Sequence, residues 1–136
     1  MTNYNSEIQR IKGLIYTNEH QIGTAIRVRH ALAKDCGEEI SLQKLCESQF
    51  ISKYHLIRVF RKYYGQTPFQ FLTDKRMEMA KLLLASGRSV SETCYAVGIK
   101  SPCSFSTLFR RRMGMTPTMF QKSNFRKVDS AKGLEI

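Results

Sequence analysis

The chain has no tryptophan, only three prolines in 136 residues, and half as many acidic as basic side chains, 11 against 22. Few prolines leave room for long helices, because an interior proline removes a ladder hydrogen bond and clashes with the turn before it. No stretch approaches the roughly 20 apolar residues that a membrane-spanning helix needs. Met1 to Tyr16 also lacks the apolar run, between a basic start and a small-residue cleavage site, that marks a secretory leader. A cytoplasmic protein with no membrane partner is therefore expected. Cys36, Cys46, Cys94 and Cys103 show no close paired spacing of the kind zinc requires, so neither a metal nor another cofactor is expected. His20, His30 and His55 stand without an evident nucleophile or acid partner, which argues against an enzyme.

The shortage of acid is local. From Ser41 to Lys122 there are 14 Lys plus Arg against four Asp plus Glu, a difference of ten within a net charge of +11 for the whole chain. A surplus confined to one segment points to a polyanion such as nucleic acid. A solvated basic face, or one drawn to anionic lipid, is the rival reading. No long basic amphipathic helix with exposed bulky apolar residues supports the lipid version.

What is present is a repeat. Ser52 to Phe71, SKYHLIRVFRKYYGQTPFQF, returns 49 residues later as Ser101 to Phe120, SPCSFSTLFRRRMGMTPTMF. Phe60 meets Phe109, Gly65 meets Gly114, Pro68 meets Pro117 and Phe71 meets Phe120. Upstream the offset is 48, pairing Ser41 with Ser89 and Cys46 with Cys94, so the second copy gains one residue near Lys100. Two copies are too few for a solenoid, and a duplicated small module is indicated.

Each copy reads as helix, tight turn, helix. Ser41 caps a helix carrying Leu42, Leu45 and Cys46 on one side, and Ser52 caps the next. There Leu56, Val59, Phe60 and Tyr63 form an inward stripe, while Tyr54, Ile57, Arg58 and Arg61 share the opposite face. Gly65 stops the helix in the left-handed position, and Thr67 with Pro68 opens another. In the second copy Ser89 and Glu92 suggest a capping box, and Ser101 and Pro102 repeat the N-cap and first-turn pair. Phe105, Leu108 and Phe109 face inward; Cys103, Ser106, Thr107 and Arg110 face out. Two helices joined by such a short turn are the shape of a helix-turn-helix, whose second helix can enter a DNA major groove. Neither second helix contains an acidic residue. Cys46 and Cys94 read as small core residues; Cys103 is either a contact or an exposed redox thiol.

The expected architecture is all-α. Two helix-turn-helix subdomains, 21–66 and 88–122, are joined by a linker helix over 67–87 and preceded by an N-terminal extension over 1–20. In that extension Ser6 and Gln9 suggest a helix through Ile8, Ile11, Leu14 and Ile15, either extending the core or serving self-association or a partner. A second helix is expected from about Asn18 to before Gly37, with Ile22, Ile26, Arg29 and Ala33 along one side and Leu32 packing inward. The linker carries Leu72, Met79, Ala80 and Leu83 toward both modules, and Arg76 is expected to pair with an acid such as Glu47 or Glu92. At 1.5 Å per residue the linker spans about 28 Å, less than the ~34 Å between successive major grooves on one DNA face, so bound DNA should bend. Residues 123–136 read as a flexible basic tail.

Together the double motif, the linker pattern RMEMAKLLL and the segment AVGIKSPCSFSTLFRRRMGMTP resemble the DNA-binding domain of the AraC/XylS family of bacterial transcription regulators, over about Ile22 to Gln121. Ile99 replaces the family's usual Phe, and Thr107 stands where Arg is common. The resemblance implies seven helices, double-stranded DNA as partner and activation through RNA polymerase. On residue chemistry, Arg58 suits bidentate readout of guanine, with Tyr54 and Ile57 against thymine methyls and sugars. Lys53 and His55 fall nearer the backbone, Arg61 is a further DNA contact on the same face, and Ser52 and Ser101 sit at helix N-termini suited to phosphate. Pro102, Cys103, Ser106 and Thr107 start the second reading face, and Arg110 suits phosphate. An asymmetric site read by one chain is expected. The alternatives are a protein-interaction module and an architectural DNA binder with little sequence preference.

Overall fold

The computed structural model describes residues 2–124, and every regular element among them is an α-helix. In chain order these are α1 (Thr2–Lys34), α2 (Leu42–Ser48), α3 (Lys53–Tyr64), α4 (Pro68–Ala85), α5 (Val90–Ala96) and α6 (Pro102–Met113), with α7 over 117–124. The chain divides into two compact units. One holds residues up to 34 with 40–71, and the other holds 35–39 with residues from 72 onward. α4 starts in the first unit and continues in the second.

The first unit is built on α1 and the α2–α3 corner. Thr24, Ala25, Val28 and Leu32 form the buried side of α1, and Cys46, Leu56, Val59, Phe60 and Phe71 complete the core. The ring of Phe60 meets that of Phe71 edge-on at 5.8 Å, an arrangement favoured by the aromatic quadrupole. Arg29 lays its guanidinium over Tyr64 and Phe71, at 5.2 and 5.4 Å from the ring centroids. Two expectations for this region fail. One helix of 33 residues runs through the place where a new start was expected at Asn18. The Thr17 hydroxyl there donates back to the Gly13 carbonyl at 2.8 Å, within the helix rather than as a cap. Ile22 and Ile26 face outward, 42% and 54% exposed, because the core takes the neighbouring stripe of Ala25, Val28 and Leu32.

The second unit repeats the design. Met77, Ala80, Leu84, Cys94, Val97, Phe105 and Phe109 form its core, flanked by Met79, Leu83, Val90, Ile99, Leu108, Met113 and Phe120. Phe109 meets Phe120 edge-on at 5.5 Å, the counterpart of Phe60 and Phe71. Gly87 ends α4 in a left-handed turn, with the Arg88 N–H returning to the Leu83 carbonyl at 3.2 Å. Gln121 on α7 donates to the Leu84 and Arg88 carbonyls, which ties the last helix to the end of α4. Arg76 is half-buried, as expected, but its partner is not an acid. Its Nε donates to the Cys36 carbonyl at 2.9 Å and its Nη2 to the Glu38 carbonyl at 3.1 Å.

Of the tail expected from 123 onward, Ser123 and Asn124 belong to α7; the remainder lies outside the described residues. Among the described residues no helix is long and apolar enough to cross a membrane.

Candidate nucleic-acid interface

The two corners are made by the same local chemistry. In the first, Phe50 N–H returns to the Glu47 carbonyl and Ile51 N–H to the Cys46 carbonyl; in the second, Gly98 returns to Tyr95 and Ile99 to Cys94. Both are the paired hydrogen bonds of a Schellman turn, with one left-handed residue closing the short helix. Ser52 follows Ile51 directly, whereas Lys100 intervenes between Ile99 and Ser101. That is the extra residue of the second copy. Its ammonium lies 3.5 Å from Glu39, with both side chains at least 85% exposed, so the pair contributes little.

Each second helix is then capped alike. Ser52 Oγ accepts from His55 N–H at 3.1 Å, and Ser101 Oγ accepts from Ser104 N–H at 3.4 Å. At the other ends Gly65 and Gly114, at φ 71° and 78°, return their N–H groups to the Arg61 and Arg110 carbonyls. Caps at both ends fix which side chains turn inward. Leu56, Val59 and Phe60 go into one core, and Phe105 and Phe109 into the other.

On α3 the opposite side carries Lys53, Tyr54, His55, Arg58 and Arg61, all exposed, with Ile57 half-buried among them. The Arg58 guanidinium lies 5.9 Å from the Tyr54 ring centroid. One turn apart on an exposed helix, such a contact is worth about 0.5–1 kcal/mol and directs the guanidinium along the helix face. Gln21, His55, Arg58, Val59 and Lys62 line a shallow, open depression beside it.

On α6 Pro102, Cys103, Thr107 and Arg110 are exposed, and Ser101 and Ser106 are half-buried. The Thr107 hydroxyl donates to the Cys103 carbonyl at 3.0 Å, which leaves its methyl group and oxygen lone pair to face outward partners. A second open depression is lined by Cys103, Ser104, Thr107, Leu108 and Arg111. Arg112, which follows Arg110 and Arg111 in the chain, is ion-paired with Asp74 of α4. The positive face of this helix therefore rests on Arg110 and Arg111.

The cysteines separate as their spacing suggested. Cys46 and Cys94 are buried, and burial raises both thiol pKa values above the ordinary value, while Cys103 is exposed. Among the described residues no group of His, Cys, Asp and Glu could hold a metal ion.

Sequence reasoning passed over Phe50. It is 97% exposed at the tip of the first corner and sits at φ 54°, in the left-handed region that resists an L side chain. The repeat offset of 48, which aligns it with Gly98, was the available signal.

Comparison with known proteins agrees with this geometry. The family model described as "Helix-turn-helix domain" matches residues 45–123, more than half of the chain. The probable transcriptional regulator LumQ of Photobacterium leiognathi is 34% identical over 85 residues, covering 62% of this chain and 34% of that protein. The bifunctional transcriptional activator/DNA repair enzyme AdaA of Bacillus subtilis (strain 168) is 30% identical over 90 residues, covering 65% and 43% respectively. The chain thus spans between a third and a half of these relatives' lengths. Among solved structures, the DNA-binding domain of AdpA in complex with a target DNA superposes with a TM-score of 0.71 at 25% identity, covering 76% of this chain and 94% of that one. The C-terminal domain of AraT, a response regulator from Geobacillus stearothermophilus, superposes with a TM-score of 0.70 at 27% identity, covering 74% and 84%. With the duplicated corner, its matched caps and this kinship together, the chain belongs to the AraC-type helix-turn-helix family.

Proposed function

We propose that the chain is a sequence-specific, double-stranded-DNA-binding regulator of transcription that sets α3 and α6 into successive major grooves. The observation that carries this is the repetition of one outward face on two acid-free helices, each capped by serine at its N-terminus. On the first face Arg58, steadied by Tyr54, is the base reader, with Ile57 and Tyr54 supplying apolar contact to thymine. Lys53, His55 and Arg61 flank it as backbone contacts. On the second, Cys103, Ser106 and Thr107 meet base edges and Arg110 meets phosphate, while Pro102 starts the helix. The backbone N–H groups behind Ser52 and Ser101 supply neutral phosphate contacts that position both helices.

The similarity to LumQ, a probable transcriptional regulator, to AdaA, a bifunctional transcriptional activator/DNA repair enzyme, and to AdpA's DNA-binding domain in complex with a target DNA supports the same reading. Selection of bound duplexes from a random pool, followed by titration of the selected and a scrambled site at several salt concentrations, tests it. A preference of at least about 10³-fold for the selected site is expected at physiological salt, with affinity falling steeply between ~50 and ~200 mM. Equal binding to both sequences would make the protein an architectural binder, and absence of salt dependence would remove DNA as the partner. Bent DNA in the complex, read by end-to-end FRET, is the companion expectation from the linker length.

A further inference from the structure

The N-terminal half of α1 carries a pattern that DNA binding does not use. Ile8, Ile15 and Ile22 recur every seven residues, and Tyr4, Ile11 and Asn18 recur at the intermediate step, which are positions a and d of a heptad. The outer b, c and f positions from Ser6 to His20 are Ser6, Gln9, Arg10, Gly13, Tyr16, Thr17 and His20, so Tyr16 is the one large side chain with apolar character among them. The next d position, Ala25, is buried in the first unit together with Leu32, so the fold covers the stripe only from there onward. Ahead of that point Ile11 is 50% exposed and Ile22 is 42% exposed, and Asn18 is exposed as well.

We propose that this stripe is closed by a second copy of the chain, as a parallel, in-register, two-stranded coiled coil over residues 4–22. Charge complementarity selects both the occupant and its direction. In a parallel pair, position g of one helix faces position e of the next heptad on the other. Glu7 is at g and Lys12 is at the following e, both exposed, so the pair forms twice across the two-fold axis. On one helix the same two residues are five positions apart and do not meet. In-register pairing also sets Asn18 against its own copy, where two amides can satisfy each other. An antiparallel pair that preserves charge matching, Lys12 against Glu19, needs Ala25 in the seam, and Ala25 is already 1% exposed in the first unit's core. This association does not rest on the DNA reading; it brings two copies of whatever α3 and α6 recognise into one particle.

Sedimentation equilibrium of the whole chain, from ~1 to ~200 µM, tests the proposal. The wild type should dimerise in this range, as expected for about three heptads, and Ile11→Asp should weaken association by about 100-fold or more. Glu7→Lys should weaken it by about 5-fold, and Glu7→Lys with Lys12→Glu should recover it to within about 2-fold. A monomer throughout, a trimer, or a dimer indifferent to Ile11→Asp would overturn the interface. A charge-swapped double variant that stays weak would overturn its parallel register. Ile11→Asp should bind a single selected DNA site as the wild type does. Failure of both proteins to bind DNA, while the wild type dimerises and Ile11→Asp does not, would count against the DNA reading alone.

Discussion

Phe50 and Gly98 hold one turn position in two copies of the same corner. Both close a seven-residue helix in the left-handed region, at φ 54° and 82°, and the isoleucine that follows each returns its N–H to a buried cysteine's carbonyl at 3.1 Å. The hydrogen bonds demand this conformation whichever residue occupies it. Glycine adopts it freely, and an L residue does so at a cost of about 1–2 kcal/mol.

Relief of that strain should be measurable. Phe50 is 97% exposed, so removing its ring loses no packing. Asparagine tolerates the left-handed region without the unfolded-state freedom of glycine. Phe50→Asn should therefore raise stability by about 0.5–1 kcal/mol, read as a higher urea midpoint at unchanged slope. A lower midpoint would mean that the turn is not left-handed.

The second corner contains an opposite error. Thr93 is fully buried and its hydroxyl has no hydrogen-bond partner among the described residues, whereas the first copy has Leu45 at the equivalent place. A buried, unsatisfied hydroxyl costs about 1–3 kcal/mol, and valine keeps the same branched shape. Thr93→Val should stabilise the protein by about 1 kcal/mol, seen as a higher melting temperature. A loss of stability would reveal a partner for the hydroxyl.

Arg76 closes the second unit over the segment 35–39 by donating to two carbonyls, those of Cys36 and Glu38. Burial draws its pKa below the usual guanidinium range, yet an arginine stays charged in the working range. Gly37 lies between those carbonyls, and a Cβ there would stand 2.7 Å from the Ala96 carbonyl oxygen. Arg76→Lys, which replaces a planar fork with a point charge, should cost about 1–2 kcal/mol in chemical unfolding and speed amide exchange over 35–39. Gly37→Ala should also destabilise, because the atom it meets is backbone and cannot swing aside.

The thiols offer a pH test with a definite sign. Burial raises the pKa values of Cys46 and Cys94 above the ordinary thiol value, so the folded state favours the neutral thiol. Their contribution to stability should be complete below the unfolded thiol's value and should fall as pH rises through the folded values. Unfolding midpoints should thus decline more steeply above about pH 9 in the wild type than in a Cys46→Ala, Cys94→Ala variant. At neutral pH a disulfide reagent should label Cys103 at once and reach Cys46 and Cys94 only on unfolding.

These particulars show where a one-dimensional reading succeeds. Ser52, Ser101, Gly65 and Gly114 act on backbone groups within four residues of themselves, so their roles could be read from local order, as could the inward faces of α3 and α6. Arg76 satisfies backbone carbonyls, which every residue possesses, so no letter in the sequence marks its partners. Ile22 and Ile26 failed for a different reason. α1 has apolar residues on adjoining stripes, and only the shape of the α2–α3 corner decides that the smaller Ala25 and Val28 are buried. Neither Gly13 nor Asn18 interrupts the helix, because a single weak helix former costs about 1 kcal/mol or less and the flanking turns absorb it.

The proposed roles of Arg58 as base reader and Arg110 as phosphate contact give the last prediction. Arg58 projects from the middle of α3, beside Tyr54 and away from the buried Leu56 and Val59, where a guanidinium fork can bond guanine O6 and N7 together. A bidentate contact of that kind discriminates by roughly 1–3 kcal/mol. Arg110 lies in the last turn of α6, where a cation suits a phosphate. Arg58→Ala should therefore reduce affinity for the selected site by about 5- to 100-fold and leave scrambled DNA nearly unaffected. Arg110→Ala should weaken both sequences alike and lower the salt slope by about one ion. Tyr54→Phe should preserve the ring under Arg58 and the preference with it, whereas Tyr54→Ala should lose part of each. Equal losses from Arg58→Ala and Arg110→Ala on every sequence, measured by fluorescence anisotropy, would show that α3 contacts the backbone alone.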